Sequence, residues 1–143
     1  MKQSLIFMVI LATFSMVNSI PHKLTKRDTA FGPCADGSPQ ITVALSPDPP
    51  LADQLTTFTI TGTMPVDTGA QTVITFFDDT DAVEGDPIST DICSSEGVTC
   101  PETTLDFTQS VQMPATLPNS IQVQVMDQTG EILGCATGDL VAA

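Results

Sequence analysis

From residue 41 onward, apolar and polar positions alternate in short runs separated by turn signals. ITVALS (41–46) sets Ile41, Val43 and Leu45 against small or polar neighbours, and the SPDPP that follows blocks continuation, because proline cannot donate to a ladder. LTTFTITGTM (55–64) carries Phe58, Ile60 and Gly62 on one face and Thr57, Thr59 and Thr61 on the other. QTVITFFD (71–78) is apolar on both faces, as a central strand would be. LDFTQSVQM (105–113) alternates through Leu105, Phe107, Gln109, Val111 and Met113. In SIQVQVMD (120–127), Ile121, Val123 and Val125 oppose Gln122, Gln124 and Met126. QTGEILGCA (128–136) reads as a turn at Gly130 and a last strand holding Cys135, and PISTDIC (87–93) as a weaker edge strand. No amphipathic helix, internal repeat or second domain is visible. Six or seven strands with turn signals at this spacing predict an all-β, immunoglobulin-like two-sheet sandwich. Its core would be slim aliphatics and a few Phe, without Trp.

The first residues follow another pattern. Lys2, the apolar run LIFMVILATF and small residues near Ser19 have the order of a secretory signal peptide, residues 1–19. The run is too short for a membrane span, which takes about twenty apolar residues. IPHKLTKRD then presents the dibasic pair Lys26-Arg27, so residues 20–27 read as a propeptide and 28–143 as the domain. This predicts the secretory pathway, with the product secreted or held in a vacuolar or lysosomal lumen.

That division changes the charge. Lys2, Lys23, Lys26, Arg27 and His22, the only basic residues and the only histidine, all precede Asp28. Residues 28–143 hold all seventeen carboxylates, giving a formal charge of −17 against −13 for the whole chain. Phosphate-neutralising contacts to nucleic acid need Lys or Arg, and Ser or Cys nucleophiles need a base, so both functions drop out. A carboxylate pair is the one catalytic device left, and no residue is assigned a catalytic role. The acidic run DDTDAVEGD (78–86) has the oxygens a calcium ion would want but not the spacing of the known loop site. It reads as a solvated hairpin tip, with no metal site and no cofactor.

Cys34, Cys93, Cys100 and Cys135 form an even set in an oxidising route, which reads as two disulfides rather than a zinc site. Of three possible pairings, the favoured one staples the loop CSSEGVTC through Cys93–Cys100 and joins the ends of the domain through Cys34–Cys135.

The order of these pieces is similar to one known family. CSSEGVTCP (93–101), MPATLP (113–118), SIQVQVMDQTGEILGC (120–135) and an early Cys34 ahead of ITVALSPDPP together resemble the ML lipid-recognition domain family. The branch is that of the second Niemann–Pick type C protein and the fungal phosphatidylglycerol/phosphatidylinositol transfer proteins. The resemblance implies a sandwich of about seven strands whose sheets part around a lipid cavity, carrying one sterol or phospholipid molecule between membranes without catalysis. It implies a monomer in transient contact with membrane surfaces. Inward residues of the central strands would line the cavity: Phe58 and Ile60, Ile74 and Phe76, Phe107 and Val111, Val123 and Val125. Met113, Ala115, Leu117, Pro118 and Ile121 would form its mouth. The family pairings are Cys34–Cys135 and Cys93–Cys100. The chain departs from the pattern in lacking a third disulfide in ALSPDPPLADQL and any basic group at the mouth. The alternative is a secreted immunoglobulin-like module that binds a protein or wall polymer by its surface. The acidity itself predicts repulsion from anionic membranes that fades below about pH 5, near carboxylate pKa values.

Overall fold

The computed structural model describes residues 28–140. The signal peptide and propeptide predicted at 1–27 lie outside the described residues. Every run that alternates in the sequence is a strand, and the described residues form eight strands in two antiparallel sheets.

The five-stranded sheet has the order β1-β8-β7-β4-β5 and the three-stranded sheet β2-β3-β6. The strands are β1 (Phe31–Gly32), β2 (Thr42–Ser46), β3 (Leu55–Val66), β4 (Gln71–Phe77), β5 (Ile88–Asp91), β6 (Glu102–Gln112), β7 (Ser120–Met126) and β8 (Ile132–Asp139). The count exceeds the expected seven because β1 pairs two residues with β8, Phe31 opposite Gly138 and Gly32 opposite Thr137. Its anchor is the Phe31 ring, which covers Gly138 where a Cβ would otherwise stand. The weak edge candidate is β5, an edge strand on β4.

Three strands run longer than the pattern predicts, β8 by continuing past Ala136 to Asp139. β3 continues to Val66 through Pro65, where its register against β6 shifts between Thr63 and Val66. An irregularity is one of the few places in a sheet that tolerates proline, since the ladder there already lacks a bond. β6 starts at Glu102 rather than Leu105, because its first three residues are polar and pair with the end of β3.

Period-two alternation puts one face of each sheet inside. From the three-stranded sheet come Val43 and Leu45, then Phe58 and Ile60, then Leu105, Phe107 and Val111; from the other come Ile74, Phe76, Ile121, Val123 and Val125. Each such side chain contributes about 1.5–3 kcal/mol when fully buried. β8 turns Gly134, Ala136 and Gly138 inward, opposite Val125, Val123 and Ile121. These small residues make room: a Cβ on Gly134 would strike Ile41 and Met64, and one on Gly62 across the sandwich meets the same two side chains. Ile41 and Met64 therefore plug the gap between the sheets at this end.

Both disulfides form. Cys34–Cys135 spans 101 residues of sequence and Cys93–Cys100 spans 7. In the stapled loop, the Asp91 carboxylate accepts from the Cys93 amide at 3.0 Å and the Ser94 hydroxyl at 3.0 Å. Ile92, with no accessible surface, anchors the loop in the core. The proline-rich 46–54 segment, which lacks a cysteine, is tied by Asp48. Its carboxylate accepts the Thr29 amide at 3.0 and 2.9 Å and the Thr29 hydroxyl at 2.7 Å.

Candidate functional site

The inward residues named from the sequence meet at the interface of the two sheets. Phe58, Ile60, Ile74, Val123 and Val125 are wholly inaccessible, and Phe76, Phe107 and Val111 are buried. With no accessible surface at the centre, no water-sized space adjoins those five side chains. The sheets are closed on each other there, and a guest molecule would have to part them.

The loops at one end are arranged differently. β2–β3, β4–β5 and β6–β7 turn at the same end of the sandwich, as the pairings of Leu55 with Gln112 and of Phe77 with Ser120 require. Backbone bonds tie these loops together: Met113 donates to the Gln54 carbonyl at 2.9 Å, Asp53 to Pro114 at 3.2 Å and Asn119 to Phe77 at 2.8 Å. Between the β4–β5 hairpin and the β6–β7 loop lies a cleft of about 780 Å³, walled by Asp78, Asp79, Val83, Glu84, Leu117 and Pro118 among others. Among the described residues the exposed large hydrophobics are Leu51, Leu55, Val83 and Leu117, all on these loops or at their margins. Elsewhere among the described residues large apolar side chains are buried or half-buried, so this end concentrates their exposed apolar surface.

The expected mouth residues divide. Leu117 and Pro118 line the cleft. Ala115 is exposed on the same loop, while Met113 and Ile121 are buried in the core beneath it. Met126 faces away from the interior valines, half-buried on the outer face.

Three inward positions missing from the sequence-based site are polar. The Thr72 hydroxyl on β4 donates to Gln109 Oε1 on β6 at 2.8 Å, a buried bond that crosses from one sheet to the other. Thr56, on β3 opposite Val111, has no accessible surface, and its hydroxyl has no partner. The signal for all three was the phase of the alternation, in which each occupies a core position.

The acidic run 78–86 is a hairpin. Asp78 accepts from the Thr80 hydroxyl at 2.7 Å, the Thr80 amide at 2.8 Å and the Ala82 amide at 3.0 Å. The Asp127 turn repeats this arrangement with Thr129 and Glu131. These bonds favour the charged form, so the Thr80 hydroxyl, then the Ala82 amide, hold the Asp78 carboxyl below its ordinary value, as Thr129 and Glu131 do for Asp127. The Ser38 amide lowers Asp36 in the same way. Among the described residues the one convergent set of possible metal ligands is Cys34, Asp36 and Cys135, and both of its sulfurs are consumed by the disulfide.

Comparison with known proteins agrees with this architecture. The family model for the ML domain (E1_DerP2_DerF2) matches residues 28–141. The chain belongs to the ML-domain family. A search of the curated proteins finds no significant match. Among solved structures, a Niemann–Pick type C2 protein from Japanese carpenter ant superposes with a TM-score of 0.51 at 13% identity, over 83% of this chain and 96% of that one. An ML domain is a lipid-recognition fold, and membership supports lipid binding in general.

Proposed function

We propose that this protein is a secreted or lumenal lipid carrier that holds one sterol or phospholipid molecule between its sheets and exchanges it at membranes through the end bearing Leu51, Leu55, Val83 and Leu117. The observation that carries the reading is the coincidence, in an ML domain, of a largely apolar sheet interface with exposed apolar side chains and an open cleft at one end. Burial of lipid surface at about 25 cal/mol per Å² would supply the affinity and the shape of the parted sheets the selectivity. Two disulfides suit an oxidising compartment. The proposal includes removal of residues 1–19 as signal peptide and 20–27 as propeptide, ahead of the family match over residues 28–141. The domain would act as a monomer.

The test is native mass spectrometry of the protein purified from a secreting host, after incubation with vesicles of mixed sterol and phospholipid. A one-to-one adduct is expected, and its mass identifies the lipid. A bare protein mass, with both disulfides intact, would reject the carrier. The closed centre favours one other reading, a solid sandwich that binds a protein or wall polymer by its surface. Uptake of a neutral hydrophobic dye by the folded protein separates the two, since a solid core takes up none.

A further inference from the structure

The interior has a defect that a merely structural core would not be expected to keep. Among the described residues, the Thr56 hydroxyl is the one buried side-chain polar atom without a hydrogen-bond partner. Leaving such a group unpaired is costly, and valine would fill the same space without that cost. Thr56 also lies toward the open end of the sandwich. It is the first inward residue of β3 beneath exposed Leu55, at the end of the sandwich that carries the cleft.

The surroundings restrict what could satisfy it. Thr56 stands opposite Val111, and the next pair on that face is Phe58 with Gln109. Thr56 and Gln109 are thus diagonal neighbours, about 7–8 Å apart in an antiparallel pair. The Gln109 carbonyl is engaged by Thr72, so its remaining hydrogen-bonding group is the amide NH₂. The site therefore combines a hydroxyl, an amide edge and apolar neighbours. It offers no cation, because residues 28–143 contain no Lys, Arg or His, and the cleft wall carries Asp78, Asp79 and Glu84. An anionic headgroup would meet like charge at the rim and only neutral dipoles inside.

We infer that Thr56, with Gln109 beside it, is the hydrogen-bonding point for a single uncharged polar group, a hydroxyl in the first instance, on a lipid whose hydrocarbon body lies between the sheets. This rests on the carrier reading above and adds to it the ligand class and the residue that selects it. Thr56 can donate to the ligand oxygen or accept from its hydroxyl, and either removes the orphaned group.

The test uses three chains of equal length, 1-hexadecanol, hexadecane and hexadecanoate, displacing Nile red from wild type and Thr56→Val at pH 8. Wild type should bind the alcohol about tenfold more tightly than the alkane, the effect of one buried hydrogen bond, and bind the carboxylate weakest. Thr56→Val should lose the alcohol preference, keep its affinity for hexadecane, and melt no lower than wild type because it buries no unpaired hydroxyl. Retention of the alcohol preference in Thr56→Val, equal binding of alcohol and alkane by wild type, or tightest binding of the carboxylate would each overturn the inference while leaving lipid carriage standing. Failure of wild type to take up the dye or any of the three chains would reject the carrier reading and the inference with it.

Discussion

Among the described residues, the Thr72–Gln109 hydrogen bond is the one side-chain-to-side-chain link between strands of the two sheets, and it permits a sharp test of how the sandwich is held shut. Thr72 is wholly buried and Gln109 is 9% exposed, with 2.8 Å between donor and acceptor. The Thr72 hydroxyl also approaches the Thr90 carbonyl, but at 3.5 Å that contact is a poor substitute. Gln109→Met keeps volume and leaves the Thr72 hydroxyl nearly unpaired; Thr72→Val keeps shape and leaves the Gln109 carbonyl unpaired. Each single change should cost about 1–3 kcal/mol, the penalty of a buried group deprived of its partner. The double variant replaces both polar groups with apolar ones of similar shape and should cost less than the sum by at least about 1 kcal/mol. Urea unfolding with a common slope gives the three free energies. Additivity within about 0.5 kcal/mol, the range expected of independent sites, would refute the pairing as an energetic link.

Four further outcomes are expected. Gly134→Ala drives a Cβ into Ile41 and Met64 and should destabilise by about 1–3 kcal/mol in a thermal or urea melt, with no loss meaning that the plug can slide aside. Replacing Cys34 and Cys135 by Ala should cost about 4–5 kcal/mol against about 2–3 for Cys93 and Cys100, since the first closes the longer loop; equal losses would argue against the chain-entropy account. Asp78, Asp127 and Asp36 have folded pKa values lowered by their turns, so their contribution to stability is complete above the unfolded value near 3.8 and is lost as pH falls through the lowered ones. Asp78→Asn and Asp127→Asn should therefore flatten the acid limb of a stability–pH curve, and an unchanged limb would count against the caps. Lipid transfer to anionic vesicles should rise between pH 7 and 4.5 as carboxylates protonate, whereas a flat profile would remove charge repulsion from the account.

Most strands were legible because a half-buried strand must alternate, and β2, β3, β6 and β7 do so for five residues or more, while β4 showed as a short run apolar on both faces. β1 was invisible: two residues make no period, and its stability depends on a Phe31–Gly138 contact between residues far apart in sequence. The end of β3 was hidden by Pro65, since whether proline ends a strand depends on a register shift with a partner elsewhere in the chain. The side chains that meet between the sheets followed from the same alternation. The open end of the sandwich did not, because the exposure of Leu51, Leu55 and Val83 depends on how three loops are tied, and loops have no period. Thr56, Thr72 and Gln109 were passed over for a different reason. A polar residue on an apolar face looks like noise until its partner, or its lack of one, is known.

Charge joins these features. Residues 28–143 hold seventeen carboxylates and no Lys, Arg or His, none of those carboxylates is buried, and the buried polar side chains, Thr56, Thr72, Thr75, Gln109 and Ser120, are all uncharged at any physiological pH. Protonation can therefore alter how the rim of the cleft meets a membrane without altering what the interior recognises. In the proposed carrier, docking and selection would rest on separate groups. An ML domain built this way would be expected to change its rate of exchange with pH while its preference among ligands stays the same, and measuring both on one protein would show whether the separation holds.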